Sequence, residues 1–273
     1  MKTSYSSNIS DHGKTIKLNF GGSPQAEFQF SCPKMLELSY SMLATFQQCP
    51  RRYRYRYLEK RKDTIKTFYL AVGSCVHSAL ARFFTIRNPE ERTLQKMLSL
   101  VDELWSKEGF RDEAEEQEWL KRTKAMLENF YKIFDCSLMP MAVELPFKAH
   151  VENLILKGRV DRIDKLADGK YRIVDYKVGD EEGISTEGTE KDLQPAFYYW
   201  GVKEGLKIEI SCITYIYLQA GMAKDISISY AEMKEDLTII KKLAERIDQE
   251  TAFLPRQNIF CQDCSFQKVC NTQ

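Results

Sequence analysis

Gly158–Lys177 reads GRVDRIDKLADGKYRIVDYK, two strands joined by a turn. Asp168-Gly169 is the turn signal, because a tight hairpin needs the positive φ that glycine takes freely. The strand before it carries Asp161, and the strand after it carries Asp175 with Lys177 two positions on. Residues i and i+2 of a strand project to one side, so Asp175 and Lys177 share a face. Two carboxylates and an ammonium converging on a small sheet suit metal-assisted hydrolysis of a phosphodiester. A face meant only for packing does not normally hold three charges. Ile173-Val174 reads as buried strand, which sets Asp175 at the edge of a core, and Gly158 leaves room for backbone or substrate to approach. The competing reading pairs Arg159, Arg162 and Lys177 with nearby acids on a solvated strand face, each pair worth little.

Outward from this hairpin, strands dominate from Ala142 to Val178, with alternation in Val143, Leu145 and Phe147. Helical periodicity runs over about 68–87, 90–108 and 113–136. An earlier helix starts with Ser39 as its cap and is interrupted at Pro50. After the hairpin come an acidic linker (179–189, GDEEGISTEGT), a short helix carrying Gln194 to Trp200, strands near 212–219 and 224–230, and a helix at about 231–249. The tail from Phe253 holds three cysteines and little periodicity. Residues 1–35 read as an arm or marginal hairpin, with alternating runs at Thr15–Phe20 and Ala26–Phe30 around Gly21-Gly22-Ser23-Pro24. Residues 36–273 read as one α/β domain: a helical part at about 68–137, a sheet at about 141–230 and the tail at about 250–273.

At 273 residues, 43% hydrophobic and 29% charged, the chain supports one substantial core of ordinary soluble character. No apolar run approaches the roughly 18–20 residues of a membrane span. The first twenty residues contain no secretory h-region, so a cytoplasmic location is the default. Eight cysteines there are expected to be reduced or metal-bound. A net charge of only +1 means that nucleic-acid binding requires a local basic patch. Arg51-Arg52-Tyr53-Arg54-Tyr55-Arg56-Tyr57 is one, with phosphates expected on the arginines and bases on the tyrosines. The same run also fits an amphipathic helix with its tyrosines inward, and the two readings are compatible.

His77, one of three histidines, shares a helical stripe with Gly73, Leu80, Ala81 and Phe84. Gln194 and Tyr198 lie four apart and so share a helical face, although Phe197, Tyr199 and Trp200 around them also fit simple packing. Cys261-x2-Cys264 with Cys270 offers three metal ligands and needs a fourth, for which zinc is the generic occupant. Cys32, Cys75, Cys136 and Cys212 lack ligand spacing and read as small apolar residues.

GSCVHSAL (73–80), VELPF (143–147), Asp161, Asp175-x-Lys177 and Gln194-x3-Tyr198 occur in one order. With Cys49 and the three tail cysteines, this order resembles the PD-(D/E)XK nuclease superfamily, and within it the RecB-type, CRISPR-associated exonucleases that carry an iron–sulfur cluster. The resemblance runs from about Leu38 to Cys270. It implies a restriction-endonuclease-like core: a central mixed sheet, flanking helices, a helical insertion and an iron–sulfur-bound C-terminal end. It implies a divalent-metal-dependent deoxyribonuclease, an exonuclease on single-stranded DNA ends, serving repair, recombination or CRISPR-type processing beside helicase or CRISPR adaptation proteins. His77, Asp161, Asp175 and the Tyr176 backbone carbonyl would hold Mg²⁺ or Mn²⁺. Lys177 would be catalytic, oriented by Gln194 and Tyr198, and Glu144 in VELPF resembles a strand acid of the family or takes a structural, supporting part. Cys49, Cys261, Cys264 and Cys270 would hold a [4Fe–4S] cluster, and Arg51 to Arg56 would shape the DNA channel. A non-catalytic DNA-end-binding subunit is one alternative, against which intact Asp161, Asp175 and Lys177 argue, and a nuclease that is latent without a helicase or CRISPR adaptation partner is the other.

Overall fold

The computed structural model describes residues 35–63, 67–179, 191–262 and 264–270, with the backbone of three short strands before them. Cys32, residues 21–24 and the linker beyond Gly179 lie outside the described residues. The chain divides into units 1–36 and 37–273. In the first, β1 (Ser7–Ser10), β2 (Gly13–Lys17) and β3 (Glu27–Phe30) form an antiparallel sheet in that order.

The main unit is built on a sheet of β4 (Leu36–Leu38), β5 (Ala142–Val151), β6 (Leu154–Lys165), β7 (Tyr171–Lys177), β8 (Ile210–Tyr217) and β9 (Met222–Ser227). β5 and β6 form a long hairpin, registered from Ala142↔Ile163 to Val151↔Leu154. β6 turns into antiparallel β7 through Gly169, whose φ of +84° is the conformation its sequence position demanded. β7 and β8 are parallel, which requires a crossover, and α6 (Gln194–Leu206) supplies it. β9 returns antiparallel to β8, so the sheet is mixed.

Ser39 caps α1 (Tyr40–Gln48) by accepting from the Met42 N–H. Pro50 then opens α2 (Pro50–Tyr53), which runs into a π-helical turn at Arg54–Leu58. α3 (Phe68–Thr85), α4 (Leu94–Leu104) and α5 (Glu113–Ile133) bury Phe83, Phe84, Val101, Leu127 and Phe130 in one cluster with Val174, Tyr176 and Ile216 of the sheet. α7 (Tyr230–Gln249) follows β9 and packs beside α6.

The space at Gly158 is filled by the Phe147 ring, not by backbone or substrate as the sequence suggested. A Cβ at Gly158 would lie 2.5 Å from that ring, and one at Gly201 of α6 would lie 2.2 Å from it. β5, β6 and α6 thus meet around one aromatic side chain. The solvated-face reading of the strand charges holds for Arg159, which is exposed and pairs with Glu144 at 3.1 Å. Arg162 is instead 5% exposed, donating to Asp164 at 2.9 Å and to the Tyr176 hydroxyl at 2.9 Å beneath the Phe84 ring. Cys75 and Cys136 are buried, and desolvation pushes both thiols up to about 11, as inert core cysteines require.

Candidate active site

Asp175 leaves β7 at 3% exposure, and its two oxygens have different surroundings. Oδ1 accepts from Gln194 Nε2 at 3.0 Å and from the Tyr198 hydroxyl at 2.9 Å. Those donors stand one helical turn apart at the start of α6, and Gln194 Nε2 also reaches the Tyr198 oxygen at 2.9 Å. Oδ2 has the Lys177 ammonium 2.7 Å away as an ion pair but no aligned hydrogen-bond donor. Lys177 in turn donates to Gln194 Oε1 at 2.6 Å and lies over the Tyr215 ring, 4.6 Å from its centroid. Burial raises the Asp175 pKa, the nearby charge of Asp161 raises it further, and Lys177 opposes both. A buried carboxylate in this state gains from a cation at its free oxygen.

Asp161 Oδ2 accepts from the Tyr176 backbone N–H at 2.9 Å, so the second carboxylate is pinned to the strand that bears the first. His77 Nδ1, arriving from α3, is 3.2 Å from the same oxygen. His77, Asp161 and Glu144 each bring a ligand atom within 4.8 Å of the others, the spacing that one ion can bridge. Glu144, read from the sequence as an accessory, is therefore a member of this group, while Asp175 stands beside it with Lys177. The register faces Glu144 toward Asp161, since Val143 pairs with Arg162 and Leu145 with Val160. Glu144 also has φ +51°, a left-handed conformation that costs a non-glycine residue energy and is retained where surroundings enforce it. The resemblance of VELPF to a family strand acid pointed to Glu144, while its left-handed backbone has no signal in the sequence.

The sequence pattern of the PD-(D/E)XK nuclease superfamily matches residues 37–271. The chain belongs to this superfamily. Its members are nucleases that use divalent cations, and the α/β fold with a central mixed sheet and flanking helices is the one observed. Among solved structures, that of SSO0001 is similar at 16% identity over 86% of this chain and 85% of its own, with a TM-score of 0.40. A "Putative exonuclease" from Eubacterium rectale is similar at 17% identity over 88% and 91%, with a TM-score of 0.48. No curated protein matches in sequence. No helix among the described residues is long and apolar enough to cross a membrane.

Away from these carboxylates, Cys49, Cys261, Cys264 and Cys270 all line one cavity of about 370 Å³, together with Arg51 and Arg256. Cys49 Sγ accepts the Arg256 N–H at 3.5 Å, and Cys261 Sγ accepts the Asn258 N–H at 3.4 Å. Among the described residues no three of the sulfurs lie within 4.8 Å of one another. A tetrahedral zinc with bonds of about 2.3 Å would need them about 3.8 Å apart, so the generic zinc reading does not fit.

The basic-aromatic stretch differs from its expectation in one respect. Tyr53 and Tyr55 are 2% and 6% exposed, so neither offers a face to a base. Phe253 stacks on Tyr53 at 6.2 Å and Phe266 packs on Tyr55 at 5.5 Å, and both partners come from the C-terminal tail. Arg51 donates to the Phe253 carbonyl, Arg52 to Gln48, Arg54 to Glu59 and Arg56 to Asp63. The inward-tyrosine reading is the one that the packing follows.

Proposed function

We propose that this PD-(D/E)XK protein is a RecB-type exonuclease on single-stranded DNA ends, dependent on Mg²⁺ or Mn²⁺. The observation that carries the proposal is the divided environment of Asp175. One oxygen is held by Gln194 and Tyr198, and the other is free of hydrogen bonds beside the Lys177 ammonium. An imidazole among carboxylates is a donor set for Mn²⁺ as well as Mg²⁺, and His77, Asp161, Asp175 and the Tyr176 carbonyl would hold the ion with Glu144 alongside. When bound, the cation would polarise the scissile phosphate and favour ionisation of the attacking water. Lys177 offsets the charge that develops on the phosphate, and Gln194 keeps its ammonium at the face of β7. Arg51, Arg52, Arg54 and Arg56 supply phosphate contacts along the entering strand.

The cysteines belong to the same proposal as ligands of a [4Fe–4S] cluster. The four cysteines line one cavity, and the backbone N–H donors to the Cys49 and Cys261 sulfurs are groups that tune such centres. The cluster is structural, because hydrolysis moves no electrons. The sequence motifs support a place in repair, recombination or CRISPR-type processing, beside a helicase or adaptation proteins. The test is cleavage of end-labelled single strands with Mn²⁺, with Mg²⁺ and with chelator. Products that shorten from an end only with metal are expected, and equal cleavage with chelator overturns the reading.

A further inference from the structure

Asp192 has no part in the site as described, yet it touches two of the three groups that surround the Lys177 ammonium. Its Oδ1 accepts from the Gln194 backbone N–H at 2.9 Å and its Oδ2 accepts from the Tyr215 hydroxyl at 3.0 Å. Gln194 is the residue whose side chain receives Lys177, and Tyr215 is the ring beneath it. Oδ1 also accepts from the Tyr40 hydroxyl at 2.9 Å, on the first residue of α1. Three elements, α1, α6 and β8, therefore converge on one carboxylate that does not itself contact Lys177.

We propose that Asp192 is a positioning residue of this site, holding Tyr215 and the first turn of α6 so that the Lys177 ammonium stays between Asp175, Gln194 and the Tyr215 ring. This rests on the nuclease reading given above. Tyr40 and Tyr215 both have their pKa raised, first by burial and then by the charge of Asp192, so each hydroxyl remains a donor to it. A carboxylate accepts all three bonds at once, whereas a carboxamide must turn a donor toward one partner. The Gln194 N–H can only donate, so the amide nitrogen falls toward Tyr215, whose hydroxyl loses its acceptor and must shift to receive that N–H, while the bonds from Tyr40 and Gln194 survive. The effect is confined to the ring under Lys177. An ammonium sits over a π face by electrostatics, so moving the ring moves the ammonium.

Asp192→Asn, Tyr215→Phe and the double variant form a cycle that separates positioning from folding. Asp192→Asn is expected to lower kcat about ten- to a hundredfold, the scale of a small displacement at a reacting centre, with KM and single-strand affinity within about twofold. Tyr215→Phe should do the same, and the double variant should be no worse than either single one, because both cut one link. A crystal structure of Asp192→Asn should find the Lys177 ammonium off the Tyr215 ring. A variant that melts earlier but keeps kcat overturns the proposal, as do losses that multiply in the double variant. If the wild type cleaves nothing with either metal, the nuclease reading falls, and the position of Lys177 in that crystal structure alone decides the role of Asp192.

Discussion

The carboxylates of β6 and β7 leave a sheet paired on both sides, whereas three of the four cavity cysteines sit on a tail of single turns. Asp161 and Asp175 are each held by named donors on neighbouring elements, namely the Tyr176 N–H and the pair Gln194 and Tyr198. The tail is fastened by bonds scattered along the 47–55 segment. Asn258 donates to the Gln48 carbonyl, the Tyr55 hydroxyl to the Val269 carbonyl, Phe253 stacks on Tyr53, and Phe266 packs edge-on against Tyr55. One region has its shape before any ligand arrives, and the other encloses a space lined by four cysteines. Removing a ligand residue should therefore have opposite consequences in the two places: lost chemistry with an intact fold in the first, lost order in the second.

The largest effect is expected at the carboxylates. Asp175→Ala or Lys177→Ala should reduce metal-dependent cleavage by about 10²–10³-fold or more while the protein stays folded and still binds single strands. Asp161→Asn should behave alike, since it keeps shape and loses the negative ligand. Cleavage rates and melting curves on the same preparations check this. A variant that unfolds would show the charges to be a structural network and erase the contrast.

At the cavity the order reverses. The anaerobically purified protein should be brown with about four iron and four sulfide per chain, and Cys49→Ser or Cys264→Ser should lose the colour and melt well below the wild type. Cys49 and the tail stand far apart in the sequence of the main unit though together in space, so shared ligation closes a very long loop and removes unfolded-state entropy, although that gain grows only slowly with length. Activity should fall only as the tail loses order. Cys75→Ser and Cys136→Ser should keep the colour, because both thiols are buried in the core. One zinc and no iron would overturn the cluster and leave the carboxylate site untouched.

A pair of glycines sharpens the comparison inside the catalytic unit. A methyl group at Gly201 meets the buried Phe147 ring, so Gly201→Ala should cost about 1–3 kcal/mol from overpacking. Gly73 has nothing within 4 Å of where its Cβ would be, so Gly73→Ala should stabilise α3 by about 0.5–1 kcal/mol. Denaturant melts give both signs. Stabilised Gly73→Ala that cleaves more slowly would show that substrate passes close over the helix face bearing His77.

The hairpin and the helix that bears Gln194 and Tyr198 were legible because each rests on local rules: a glycine turn, strand alternation, a four-residue helical spacing. Three features were not. Glu144 was flagged by resemblance alone, but its left-handed backbone and its grouping with His77 and Asp161 come from the cross-strand register. Tyr53 and Tyr55 look like base platforms in the sequence, yet their faces are taken by Phe253 and Phe266 about two hundred residues later. Asp192 follows an unpatterned linker, and its three partners come from three separate elements. All three depend on tertiary contact, which local periodicity does not encode.

The arginines beside those tyrosines give a smaller test. Arg52, Arg54 and Arg56 replaced together by Gln should weaken single-strand binding and flatten its salt dependence by about 2 in the log–log slope, at about 0.7 for each phosphate that is no longer neutralised. An unchanged affinity at two salt concentrations would show that their pairs with Gln48, Glu59 and Asp63 are their whole role.

The smallest expected effect lies in pH, and it connects the fold of the carboxylate site to its cation. Burial pulls the His77 pKa down, but the hydrogen bond to Asp161 and the charges of Asp161, Asp175 and Glu144 outweigh it, leaving the pKa above the ordinary 6.5. A raised folded-state value means that protonated His77 stabilises the metal-free protein fully below its ordinary pKa, and that this contribution is lost as pH rises through the raised one. Cation binding requires the neutral imidazole, so it strengthens across the same window. The metal-free protein should therefore lose a little thermal stability as pH climbs above about 6.5, and Mn²⁺ should reduce or reverse that loss. His77→Ala should flatten both slopes. Melting curves at matched pH with and without Mn²⁺ read the difference directly, and identical slopes in the two series would remove His77 from the cation site while leaving Asp175 and Lys177 in place.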